Sequence, residues 1–217
     1  MKLLLVCMMS TAVSIAISHP AVTVPEILTL SNETAEELFD AAFSENWSAA
    51  RPLIHRLDSL HAPFREFAVQ SGLSSQLRDF YSMYIEQINV AAKSRDLHRI
   101  AAAANELTGI GADFLSGFSS AVPAGAARMD YLGRAVLLEN ADGDSVALLR
   151  RMHDIENAWS GVKPHLTGKK ANRMAILMEK RISHLRGDVL RNNHTQISSD
   201  AIGFLEDVDL VEQISAQ

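Results

Sequence analysis

The chain has 217 residues, 47% hydrophobic and 21% charged, with 11 Gly, 6 Pro and a single Cys. That composition can bury a core, and it excludes collagen, low-complexity disorder and disulfide-stapled mini-proteins. A net charge of −6 and a pI near 5.7 argue against a nucleic-acid binder, which carries a basic stripe.

Met1-Lys2 followed by the apolar run Leu3 to Ile17 reads as a secretory signal over 1–18. Ala16 and Ser18 are small residues at cleavage-site spacing, which puts His19 first in the mature chain. The run is short for a spanning helix, and no stop-transfer pattern follows. Cys7 lies inside the run, too early for a lipoprotein cysteine, and leaves with it. The mature chain is then free of cysteine. This excludes disulfides, thiolate metal sites, Cys nucleophiles and covalent haem. The expected compartment is periplasmic or secreted, with no stable membrane insertion of the mature chain. Three sequons, at Asn32, Asn46 and Asn193, matter only in a glycosylating host.

Beyond an extended segment over 19–30, the periodicity is helical throughout. Ser31 opens a helix that runs to Phe43. Asn46 or Ser48 caps a second, reaching about Phe67, with the stripe Ala50, Ile54, Leu57, Phe64 and Ala68. Pro63 predicts a kink or an early stop there. A third helix starts at Ser74 or Ser75 and a fourth at Ser94 or Asp96, the latter carrying apolar residues to Phe118. Val122-Pro123-Ala124-Gly125 reads as the central break. A shorter helix over about Ala126 to Glu139 follows. Asp142-Gly143-Asp144, Thr167-Gly168 and Asn192-Asn193 then divide three more helices.

At an offset of roughly 97 residues the two halves match core position to core position. Leu77, Phe80, Tyr81, Ile85 and Ile88 fall on Met174, Leu177, Met178, Ile182 and Leu185. Ile54-His55-Arg56-Leu57-Asp58 falls on Met152-His153-Asp154-Ile155-Glu156. The expected fold is an all-α helical bundle of two similar three- to four-helix halves, 31–121 and 122–217. A duplicated bundle has a seam between its halves, where bundles commonly hold ligands.

A doubled His-x-x-acid pair supplies the candidate metal ligands: His55 with Asp58, and His153 with Glu156, each one helical turn apart. His61 lies on the apolar stripe where the second half has Trp159. His55, Asp58 and His61 together form an imidazole–carboxylate set suited to Zn, Cu or Fe. No other cofactor is expected. An amino-terminal His19 would also suit Cu(II). Gly109-Ile110-Gly111 lacks the strand and Lys of a phosphate loop and reads as a site of close helix approach. Met129-Asp130-Tyr131-Leu132-Gly133-Arg134 reads as a packing anchor built on an Asp130–Arg134 ion pair. No nucleophile elbow or His-Glu-x-x-His occurs. The expected function is an exported, non-enzymatic binding or adaptor protein for a transition metal, a small hydrophobic molecule or a partner protein. The alternative is a structural or protein-interaction module of the cell envelope that uses an apolar groove between helices.

Overall fold

The computed structural model describes residues 24–118 and 121–215. The expected signal segment, Cys7 and His19 lie outside the described residues. Among the described residues there is no strand, and the chain forms eight helices. They are α1 (Glu26–Phe43), α2 (Trp47–Gln70), α3 (Ser75–Ser94), α4 (Leu97–Leu115), α5 (Ala121–Asp142), α6 (Ser145–Val162), α7 (Lys169–Arg191) and α8 (His194–Ser215). A short 3-10 turn, Lys163–His165, extends α6. No described helix is long and apolar enough to cross a membrane.

The first four helices close a ring, because α1 and α3 each pack on both α2 and α4. The last four close another, with α5 and α7 each packing on α6 and α8. The rings meet along α4 and α5. Their buried apolar side chains form one connected core from Leu28 to Val211, with Phe39, Phe64, Phe114 and Phe204 its largest fully buried members.

Four of the connections share one local solution. Glu45, Arg95, Gly143 and Asn192 adopt positive φ, between 55° and 71°, and each is followed by Asn or Asp. The N–H of that next residue donates to the carbonyl five positions back: Asn46 to Ala41, Asp96 to Ala91, Asp144 to Glu139 and Asn193 to Asp188. This is the left-handed closure that satisfies orphan carbonyls at a helix end. The same Asn or Asp then opens the next helix. Its side chain accepts from Ala49, Arg99 or Ala147 N–H at 2.9–3.1 Å, and in Asn193 from Gln196 N–H at 3.4 Å. One dipeptide thus stops one helix and starts its antiparallel neighbour.

The structure departs from the sequence expectations at the helix ends. Helix α1 begins behind Pro25 rather than at Ser31, because Leu28 joins the core face, so the described part of the extended segment past Pro25 is helical. Helix α2 runs through Pro63 to Gln70. Pro63 and Ser59, whose carbonyl it frees, are exposed, so water can satisfy that group. Helix α4 ends at Leu115, and Phe118 packs on the core from the turn that follows. The expected break at 122–125 lies inside α5. Pro123 sits in its first turn, where no N–H is needed. Gly125 belongs to a contact, since a Cβ there would collide with Val162 of α6. Gly109 does mediate close approach, and a Cβ there would meet the Tyr131 ring at 2.9 Å.

Candidate functional site

The five predicted ligand residues lie on α2 and α6, in different rings. His55 and Asp58 sit on the exposed face of α2, opposite Ile54 and Leu57, which reach the core. Asp58 Oδ1 accepts from Asn89 Nδ2 of α3 at 2.7 Å. His61 is half-buried, with Nε2 3.0 Å from Ser82 Oγ and its ring 6.2 Å from that of Tyr81. Burial holds His61 below its ordinary pKa and the Arg65 charge adds to this, while Asp58 opposes both. His153 is exposed, with Nε2 3.0 Å from Asn157 Nδ2 one turn on. Glu156 accepts from Arg186 Nη1 of α7 at 2.8 Å. The structure gives the two His-x-x-acid pairs separate partners. Among the described residues no three His, Cys, Asp or Glu side chains gather as a metal-holding group.

The polar chemistry concentrates at the seam instead. A cavity of about 510 Å³ opens between α3, α4, α5 and α6, where the two rings meet. Its floor is apolar and made of small residues: Ala91, Ala102, Ala103 and Ala135, with Val90 and Leu138. The volume exists because α4 presents a run of alanines to the junction, too short to fill it. It falls within the range that takes a small organic molecule.

Tyr84, Glu106, Glu139 and Arg151 supply the polar wall together with Gln87, Arg99 and Asn105. The Tyr84 hydroxyl donates to Glu106 Oε2 at 3.4 Å, and the Tyr131 hydroxyl donates to Glu106 Oε1 at 3.3 Å. Both bonds are long for O–H···O, so the carboxylate keeps acceptor capacity. Arg151 grips Glu139 Oε1 with Nε at 3.1 Å and Nη2 at 2.6 Å. Glu139 Oε2 is buried with no hydrogen-bond partner. The guanidinium groups of Arg151 and Arg128 lie 5.5 and 5.4 Å from the Tyr131 ring centroid, at cation–π distance.

Burial pushes the Tyr131 hydroxyl above its ordinary pKa and Glu106 adds to this, while Arg151 and Arg128 oppose. Tyr84 is raised by burial and then by Glu106. Both phenols therefore stay protonated and act as donors. For Arg151, burial disfavours the charge, but the bond to Glu139 and the Glu139 charge outweigh it and raise the pKa. Two phenol donors thus meet Glu106, one from the lining and Tyr131 from behind it, while Arg151 neutralises Glu139.

Periodicity cannot find such a site, since its polar residues come from four helices. Tyr84 falls on the α3 stripe, and nothing in the spacing of Glu106, Glu139 and Arg151 marks them as a group. The one signal available was Ala101-Ala102-Ala103-Ala104, a small-residue run on a core-facing helix.

A second buried polar group lies where α1, α5 and α8 meet. Arg134 does not pair with Asp130 of its own helix. Its Nη2 reaches across to Glu36 Oε2 at 3.5 Å, and its guanidinium lies 5.9 Å from the Phe39 ring centroid. Buried Asp130, half-buried Glu212 and the exposed Asp40 and Asp209 add their charges to the same group. Burial pushes Glu212 up to about 7, with Glu36 and Asp209 adding and Arg134 opposing. Asp130 is held well above the carboxylate range by burial, against the pull of Arg134.

No protein-family model, curated protein or solved structure matches this chain.

Proposed function

We propose that the chain is an exported, non-enzymatic binding protein that holds a small organic ligand in the seam cavity. The observation that carries this reading is Glu106, suspended between two protonated phenols above an alanine floor. A carboxylate with spare acceptor capacity favours a ligand that brings a hydrogen-bond donor or a positive charge. The apolar floor favours an apolar body behind that group. The ligand class is a small amine with a hydrocarbon portion.

Two related halves would make this seam a pseudo-symmetric junction, and the connections support that inference. The turn residues Asn46 and Asp144 stand 98 positions apart, and Asp96 and Asn193 stand 97 apart. These pairs use the same bonds to do the same work. The apolar run of residues 3–17 supports export to the periplasm or the exterior.

Calorimetric titration with phenethylamine and with phenylacetate tests the ligand class. The amine should bind and the acid should not. Glu106→Gln, checked for retained helicity, should weaken amine binding at least tenfold, and Tyr84→Phe by less. Equal binding to E106Q would sink the reading. The metal reading of His55, Asp58, His61, His153 and Glu156 has its own test. Cu, Zn or Fe found at one equivalent in protein from its native compartment would displace the seam proposal. An envelope interaction module is the second reading, and the exposed aliphatic side chains Leu177 and Leu210 favour it.

A further inference from the structure

Helices α7 and α8 leave a groove of about 470 Å³ along one side of their contact. Its apolar lining is Met174, Leu177, Leu210 and Ile214, and one end carries Lys169, Lys170 and Arg173. Leu177 is 53% and Leu210 45% exposed, a large aliphatic surface to leave in water. Among the described residues no carboxylate lines the groove, although the whole chain is acidic.

Of the other four Lys and Arg side chains of α7, three carry ion pairs, and Lys180, outside the groove, has none among the described residues. Arg181, Arg186 and Arg191 are each paired, with Asp207, Glu156 and Asp188. Lys169, Lys170 and Arg173 have no ion-pair partner among the described residues. They also occupy the first turns of α7, where the helix dipole repels cations, and no side chain caps that end. Each local choice is unfavourable for α7 alone and becomes favourable once an anion lies among the three side chains.

From this charge complementarity we infer that the groove binds a single-chain carboxylate amphiphile of the fatty-acid type. Its carboxylate would sit among Lys169, Lys170 and Arg173. Its hydrocarbon chain would run over Met174 and between Leu177 and Leu210 toward Ile214. A concave crevice between two helices takes one chain along its length, whereas a bilayer surface needs a flat or convex apolar face. The site is separate from the seam cavity and selects the opposite charge.

The test is titration of the full chain with dodecanoate below its micelle concentration, followed by calorimetry and by the carboxyl ¹³C chemical shift. Dodecyltrimethylammonium, with the same tail and the opposite head, is the control. Dodecanoate should bind and the cationic control should bind at least tenfold more weakly. K169Q/K170Q/R173Q should reduce dodecanoate affinity at least tenfold and abolish the carboxyl shift. L177S/L210S, which alters only exposed positions, should reduce affinity comparably while leaving helicity unchanged. Equal binding of both amphiphiles, or unchanged affinity in both variants, overturns the assignment. So does a concentration-dependent dimer lost in L177S/L210S without dodecanoate binding, which would give the groove to a second copy. Sedimentation with anionic vesicles, in the absence of monomer binding, overturns it in favour of a membrane surface.

Discussion

Arg151 and Glu139 face each other across the α5–α6 contact, with two guanidinium nitrogens on a single carboxylate oxygen at 2.6 and 3.1 Å. Both side chains are largely covered, at 21% and 16% exposed. Removing one partner strands the other. Arg151→Met should cost about 2 kcal/mol, read as a lower urea midpoint. The double variant E139L/R151M should recover part of that loss, because it leaves no half-buried charge alone. A double variant less stable than R151M would show that the pair, and not its desolvation, dominates.

The glycines of α5 and α6 predict opposite signs. A Cβ at Gly125 would collide with Val162, which is buried. Gly125→Ala should destabilise by about 1–3 kcal/mol through overpacking. Gly161 meets nothing within 4 Å, so Gly161→Ala should stabilise by about 0.5 kcal/mol through helix propensity. Thermal denaturation of the two variants side by side decides the matter, and a shared sign would refute the packing account.

The four stop–start dipeptides should contribute unequally. Asp144 accepts from both Val146 and Ala147 N–H, at 3.1 and 2.9 Å. Asn193 accepts from Gln196 alone at 3.4 Å. Asp144→Ala should cost about 1 kcal/mol and Asn193→Ala less, each measured from chemical unfolding. The reverse order would mean that the backbone bonds to Glu139 and Asp188, and not the caps, set the strength of these turns.

The carboxylates around Arg134 predict a pH response of definite sign. Glu212 is raised to about 7, so the folded state holds its proton more tightly than the unfolded chain does. The stability this confers is complete below the ordinary glutamate range and is lost as pH rises through about 7. Glu212→Gln cannot ionise. It should therefore melt above the wild type at pH 8 and converge with it near pH 5. The depressed His61 acts in the opposite pH direction but equally in both proteins, so it cancels in the difference, which reports Glu212 with its coupled neighbour Asp130. A Tm difference that stays constant between those two pH values would rule the assignment out.

Helix identity and most of the core were readable from period and punctuation. The stripe Ile54, Leu57, Phe64 and its counterpart Met152, Ile155, Trp159 are buried as the 3.6-residue period requires. Asn46, Asp96 and Asp144 cap as their chemistry dictates. Pro63 and the segment at 122–125 misled because a local breaker was weighed without knowing which face it occupied. An exposed proline, a first-turn proline and a glycine against a neighbour's valine all fit inside helices. The seam escaped for another reason. Glu106 meets Tyr84 and Tyr131 only because α4 adjoins both α3 and α5, and no spacing along the chain encodes those neighbour relations.

The shared edge of the two rings sets how the molecule should breathe. Helices α4 and α5 pack on three neighbours each, whereas α2 meets α3, and α6 meets α7, over the thinnest interfaces. Amide hydrogens of α4 and α5 should exchange with deuterium last, and those of the outer helices first. The Ala102–Ala103 floor then behaves as a fixed spine, while α3 and α6 form its looser jambs. Entry to that space would be governed by the outward lean of these two helices, on the slow timescale of local opening rather than of side-chain rotation.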